Sequence, residues 1–297
     1  MHQQKIVVMK ALLNKSITIC FILFVSLSAC RKDVNGSEGP GNTGGAKPHV
    51  VMGDIYDANG NKFQFPGAAV TVGIWGPGDI GNHTVSYNIA MDANSHYEQK
   101  VADGIYAFHA SALMPLNGNK IRVDLQSLDN IPAHIQQASA PGIVKNFALV
   151  LSGLGKVGDA SDANSYFGGH ICVGDGVGFF GDYGYWNNLK VKYPGSTITF
   201  TLTPKGSCVD GSDAPLKQIT CTVDDLETGK YLVNFPYAWY QLSAVLTTAN
   251  GAQKNLVLSF IPDDSGTTHN YLDVTFPPDP ASMDNYPLNP QIAVWEQ

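Results

Sequence analysis

One pattern occurs twice and restricts the fold more than any other feature of the sequence. "PGAAVTVGI" begins at Pro66 and "PGSTITFTL" at Pro194. After each Pro-Gly pair every second residue is apolar: Ala68, Val70, Val72 and Ile74 in the first copy, and Ile198, Phe200 and Leu202 in the second. The alternate positions hold Ala69, Thr71 and Gly73, and Thr197, Thr199, Thr201 and Thr203. A period of two is the side-chain period of a β-strand with one buried and one wet face. Wound into a helix, these segments would scatter their apolar residues around the axis, so each half of the chain is expected to be built on strands.

The agreement between the halves continues in order. Tyr97 and Tyr106 are followed by the turn pair Asn117-Gly118 and the alternating "KIRVDLQ". Tyr231 and Tyr240, at the same separation, are followed by Asn250-Gly251 and "NLVLSFI". Asp92 precedes the first tyrosine pair and Asp224 the second. A shared order of this kind is the mark of an internal duplication. Asn59-Gly60 reads as a further tight turn, joining two strands at or near that point. The fold class expected is all-β: two tandem small Greek-key β-sandwiches, over 48–152 and 165–277, with a Gly/Ser/Asp linker at 153–164. The Pro-rich tail, 278–297, is expected to lie along the second sandwich, where "QIAVW" can add an edge strand. Helix is limited to a turn or two near 131–138.

In the first half, "VMGDIYDANG", "PGAAVTV", "DANSHY" and "GIYAF" follow one another, and "KNFALVLSG" closes the segment. This series resembles the carboxypeptidase-regulatory-like domain, a transthyretin-like β-sandwich. The resemblance implies the sandwich and no peptidase activity, because the catalytic zinc domain of such enzymes has no counterpart here. Ser95 stands where a turn glycine is usual, and 126–144 is longer than the pattern requires.

The chain begins with an address. "MHQQKIVVMKALLNKS" carries Lys5, Lys10 and Lys15 and no acid, with Met9 a second candidate start. "ITICFILFVSLSAC" then supplies an apolar core too short for a comfortable membrane span. The ending Leu27-Ser28-Ala29-Cys30 resembles the lipobox of bacterial lipoproteins. That resemblance implies cleavage after residue 29, lipidation of Cys30 including palmitate, and attachment of an otherwise soluble protein to the membrane. Cys30-Arg31-Lys32-Asp33 resembles the export tag of surface lipoproteins of Bacteroidetes-like bacteria, implying an outer-membrane protein that faces the periplasm or the surface. Residues 30–47, rich in Gly, Asn and Ser, read as a flexible leash.

Loss of residues 1–29 removes three lysines and no acid, taking the formal charge from −7 to −10. Such a surface disfavours nucleic acid as a partner. Cys172, Cys208 and Cys221 remain, allowing at most one internal disulfide or three buried thiols.

Motifs for nucleophile, metal or phosphate chemistry are absent: the sequence has no G-x-S-x-G, no H-E-x-x-H and no Walker loop. The histidines sit in no ligand-like spacing and read as surface or turn residues. No enzyme activity and no cofactor are expected. Asp57, Asn59 and Asn61, like Asp159, Asp162 and Asn164, have the alternate oxygen spacing of a calcium loop, yet the same residues make Asx turns without metal. Asp175 and Asp182 form the one carboxylate pair worth testing for glycoside hydrolysis.

The strongest binding signal is "GDGVGFFGDYGYWNN", residues 174–188. Tyr183, Tyr185 and Trp186 offer flat faces for the C–H surface of a sugar ring, and Asp182, Asn187 and Asn188 offer hydrogen bonds to hydroxyls. The competing reading packs these rings into the sandwich or between the domains. The expectation is a non-catalytic envelope lipoprotein with a binding or structural role and a polysaccharide or envelope-protein partner. The alternatives are an adhesion or stalk module that binds proteins and, last, a hydrolase.

Overall fold

The computed structural model describes residues 45–76, 85–129, 137–156, 158–175, 188–227, 229–261, 267–277 and 289–297. The first copy contains β1 (Val50–Tyr56), β2 (Ala69–Gly76), β3 (Val85–Ala90), β4 (His96–Lys100), β5 (Ile105–Leu116), β6 (Asn119–Ser127), β7 (Gln137–Ala138), β8 (Ile143–Val144) and β9 (Phe147–Leu149). A short hairpin follows, β10 (Gly153–Leu154) with β11 (Tyr166–Phe167). The second copy contains β12 (Gly169–Gly174), α1 (Leu189–Lys192), β13 (Thr197–Cys208), β14 (Lys217–Thr222) and α2 (Val223–Glu227). It continues with β15 (Lys230–Phe235), β16 (Ala238–Thr247), β17 (Gln253–Phe260), β18 (Leu272–Val274) and β19 (Gln291–Glu296).

The two copies share one topology. Strand order is β3-β2-β5-β6-β9-β1-β4 in the first and β14-β13-β16-β17-β19-β12-β15 in the second. Even the short extra strand is repeated, since β7 pairs with β5 at Tyr106 and β18 pairs with β16 at Tyr240. The protein is thus all-β, with two tandem β-sandwiches. The alternation of the Pro-Gly segments is realised as expected: Val70, Val72 and Ile74, and Ile198, Phe200 and Leu202, are buried. On the opposite face, Thr199 and Thr220 join their hydroxyls across β13 and β14 at 2.9 Å.

Each sandwich is closed by its last strand running parallel to its first. In the first copy, Val51 and Met52 lie beside Ile143 and Val144, and Ile55 and Tyr56 beside Phe147 and Ala148. β9 is also antiparallel to β6. Gly53 makes the approach possible, because a Cβ there would stand 1.9 Å from the Lys145 carbonyl oxygen. The Tyr97 hydroxyl donates to that same oxygen at 2.6 Å. The Lys145 ammonium is fully buried, bonded to both Asp129 oxygens at 2.9 and 3.0 Å and lying 5.8 Å from the centre of the Phe108 ring. A charge removed from water requires such a partner.

The second copy corrects the expectation for the tail. "QIAVW" is an interior strand, set between β17 and β12, and not an edge strand. It is the counterpart of "NFAL", and Ile292, Ala293 and Val294 are buried accordingly. Its last residue, Glu296, accepts from the Tyr193 hydroxyl and from Lys192 and Lys254, which hold its pKa down at about 2.

Two further expectations are corrected. The Asn59-Gly60 turn leads only to an isolated bridge between Tyr56 and Lys62, and β2 pairs with β3 and β5 instead. The tyrosine pairs are only half equivalent: Tyr106 and Tyr240 are both fully buried, but Tyr231 is 40% exposed while Leu232 beside it takes the inward position. Near 131–138, Gln137 and Ala138 are strand and not helix, and 131–136 lie outside the described residues.

The equivalent tyrosines differ at their hydroxyls. Tyr106 donates to the Ala102 carbonyl at 3.1 Å, whereas the buried Tyr240 hydroxyl has no partner among the described residues. An orphaned buried hydroxyl costs about 1–3 kcal/mol, while a satisfied one contributes about 1 kcal/mol. Tyr240→Phe is expected to raise stability by about 1 kcal/mol and Tyr106→Phe to lower it by about the same amount. Guanidinium unfolding of the two variants checks the opposite signs.

Candidate functional site

A cleft of about 510 Å³ opens between the outer face of the first sandwich and the start of the second. Its first wall is made by His109 on β5 and Asp124 on β6, and Trp75 on β2 supports this row from outside the lining. Trp75 on β2 stacks on the His109 ring of β5 at 5.9 Å and 22°, and His109 Nε2 lies 2.9 Å from Asp124 Oδ1 on β6. Local chain geometry fixes this row. Asn117 and Gly118, at φ 50° and 78°, make a two-residue hairpin turn that places Leu116 opposite Asn119 and Ser111 opposite Asp124. His109 is the next outward position on β5, within diagonal reach of Asp124.

The second wall comes from the junction of the two copies. Tyr166 and Phe167 on β11, Gly168, and His170 on β12 line it, with Tyr237 from the β15–β16 turn. Gly168 has φ 97°, and a Cβ there would meet the Phe235 and Leu151 carbonyl oxygens at 2.2 and 2.6 Å. The chain can turn into β12 only because that position carries no side chain. Tyr237 packs edge-on against Phe276, with ring centres 5.1 Å apart, and its phenol is pushed up by burial and by the nearby Asp124 carboxylate. That coupling ties a second-copy tyrosine to a first-copy acid. Asn164 and Asn289 complete the polar lining.

His170 has a defined protonation state. Its Nε2 lies 3.2 Å from the Tyr166 carbonyl oxygen, which can only accept, so Nε2 carries the hydrogen. Burial pulls its pKa below 6.5, against the smaller opposing effect of that bond. The ring is therefore neutral at pH 7, and Nδ1 is an acceptor.

Of the binding residues expected from sequence, Asp182, Tyr183, Tyr185, Trp186 and Asn187 lie outside the described residues, as does Cys30. Asn188 is exposed and stands in left-handed conformation at φ 53°, just ahead of α1. Asp175 is buried and its N–H donates to the Leu226 carbonyl, while its suggested partner Asp182 is not described. The calcium-like loops are Asx turns. Asp57 accepts from the amides of Asn59 and Asn61, Asp159 from that of Ser161, and Asp162 from that of Asn164. Among the described residues no three metal-ligating side chains come together. Cys172, Cys208 and Cys221 are buried free thiols, and burial pushes Cys172 and Cys221 up to about 12.

The residues of the cleft went unnoticed in the sequence because they come from β5, β6, β11 and β12 and from separate connecting segments. The signal for one pair was present: the Asn-Gly turn sets the hairpin register, and the register brings His109 to Asp124.

No protein family matches the sequence, and no curated protein matches it. Matches among solved structures include a single B repeat unit of the collagen-binding surface protein of Staphylococcus aureus, at 10% identity and a TM-score of 0.21, covering 85% of this chain and 99% of that one. A streptococcal ancillary pilin matches at 10% identity and 0.22, covering 82% and 61%. A C-terminal fragment of the pilus adhesin SpaC from Lactobacillus rhamnosus GG also matches at 10% and 0.22, covering 84% and 98%. Superpositions at these scores carry no weight for function.

The protonation of His170 has a consequence for stability. A histidine whose folded pKa lies below its unfolded value costs nothing well above pH 6.5; stability begins to fall as pH drops through about 6.5, where the unfolded chain takes up the proton first, and the loss is complete once pH has passed the folded value. Wild-type protein is expected to lose part of its denaturation midpoint between pH 7 and pH 5, and His170→Gln to lose less. Paired unfolding curves, with an NMR titration of His170, check both statements.

Proposed function

We propose that this chain is a lipid-anchored, non-catalytic protein of the bacterial cell envelope whose paired sandwiches form a binding module for a polysaccharide or an envelope protein. The observation that carries the binding role is the cleft, where the His109–Asp124 pair on one copy faces aromatic and amide groups at the start of the other. Mixed apolar and polar linings of this volume are typical of small-ligand sites, for which volumes of about 300–1,000 Å³ are usual.

The absence of catalysis is supported by the state of the nucleophiles. Cys172 and Cys221 are held as thiols by burial, and a thiol with a pKa of about 12 is inert at neutral pH. His109 is bonded to a carboxylate and stacked on Trp75, which holds the ring in one orientation.

The anchor rests on Leu27-Ser28-Ala29-Cys30 and on the Gly-rich leash that separates Cys30 from the first strand. Several acyl chains bind membranes far more persistently than one, so a single cysteine bearing them would hold the whole protein. Cells fed an alkyne analogue of palmitate are expected to label the wild-type chain and not Cys30→Ala, which should leave the membrane fraction. Label retained by Cys30→Ala would overturn the anchor. Protease treatment of intact cells then assigns the leaflet, as a surface protein is lost and a periplasmic one kept.

A further inference from the structure

We infer that the cleft between the sandwiches binds an uncharged saccharide. This rests on the binding role proposed above and names the ligand class of that site. The inference follows from what the two walls present and from what they withhold.

Sugar rings have two demands. Their axial C–H faces require flat apolar partners, and their vicinal hydroxyls require polar groups held in fixed directions. Tyr166, Phe167 and Tyr237 supply ring surface on the second wall, where Phe276 holds the Tyr237 ring edge-on. The polar groups are restrained as well. Asp124 is bonded to His109, which Trp75 keeps in plane by stacking, and His170 is fixed as an Nδ1 acceptor by its bond to the Tyr166 carbonyl. A carboxylate whose Oδ1 is engaged retains acceptor capacity on Oδ2 for a hydroxyl, and restrained acceptors lose little entropy on binding.

The lining also argues against other ligands. Among the described residues no lysine or arginine lines the cleft, so phosphate groups, sulfates and uronates would face the Asp124 carboxylate without a counter-charge there. An extended peptide would need free backbone groups for strand addition, yet β5 is paired with β2 and β6, and β6 with β5 and β9. A purely apolar ligand would take water from Asp124 Oδ2 and His170 Nδ1 and offer no hydrogen bond in its place.

The test is calorimetric titration of the full mature chain with neutral oligosaccharides of gluco, galacto, manno and N-acetylhexosamine type, and with uronate-bearing oligosaccharides. At least one neutral series is expected to bind, with the uronates weaker. Asp124→Asn and Tyr166→Ala, whose side chains are partly exposed and whose folding circular dichroism can verify, should each weaken binding at least tenfold. Trp239→Ala, an exposed aromatic outside the lining, should leave it unchanged. The inference is overturned if no neutral saccharide binds, if uronates bind more tightly, if both cleft variants bind like wild type, or if Trp239→Ala weakens binding as much as they do. Because the titration is done in solution, its failure is separate from failure of the Cys30 anchor, which palmitate labelling reads independently.

Discussion

The structure depends on a parallel pairing between the first and last strands of each sandwich. β9 runs beside β1, and β19 beside β12, and each closing strand also meets the hairpin strand β6 or β17 on its other side. Without that insertion the first strand, together with its antiparallel partner β4 or β15, would have no connection to the rest of the sheet. The pairing is long-range, spanning most of each copy, and it requires local concessions. Gly53 clears space for the Lys145 carbonyl, and the Pro290 carbonyl receives the Cys172 amide in the second copy. Non-local contacts of this kind form late and make such folds slow relative to helical ones.

Duplication has left the two copies alike in backbone and unlike in what they bury. At the base of the first copy a lysine ammonium is enclosed with Asp129 and Phe108. The second copy holds its closing strand with an exposed cluster instead, Glu296 with Tyr193, Lys192 and Lys254. The same contrast appears at Tyr106 and Tyr240, equivalent in pairing and burial but only one of them satisfied at its hydroxyl. Strand topology tolerates these exchanges because the backbone ladder, common to both copies, carries the fold, while each buried polar group must find its own local partner.

Tandem placement also explains where a binding site arises. Neither sandwich alone encloses the cleft: His109 and Asp124 lie on the outward face of one, and His170 and Tyr237 belong to the other. Outward positions on a sheet are normally solvated and free to vary. Covering this face with the β10–β11 hairpin converts it into a partly enclosed surface, where a hydrogen-bonded row is worth more than it would be in open water.

Period-two alternation, Asn-Gly turns and the repeated order of tyrosines determine by themselves that the chain is a duplicated β protein, since side-chain direction along a strand follows from covalent geometry alone. The same reasoning locates the buried faces of β2 and β13 residue by residue. It fails where the partner of a strand lies far away in sequence. "QIAVW" has the pattern of any short strand, and only the sheet decides that it is interior; Tyr231 has the spacing of a core residue, and a shift between Gly169 and Ile171 in the pairing of β12 and β15 accompanies its outward position. The cleft residues are the extreme case. Histidine, aspartate and asparagine carry no periodic signal, and what makes a site of them is proximity across two sandwiches, which tertiary packing alone decides.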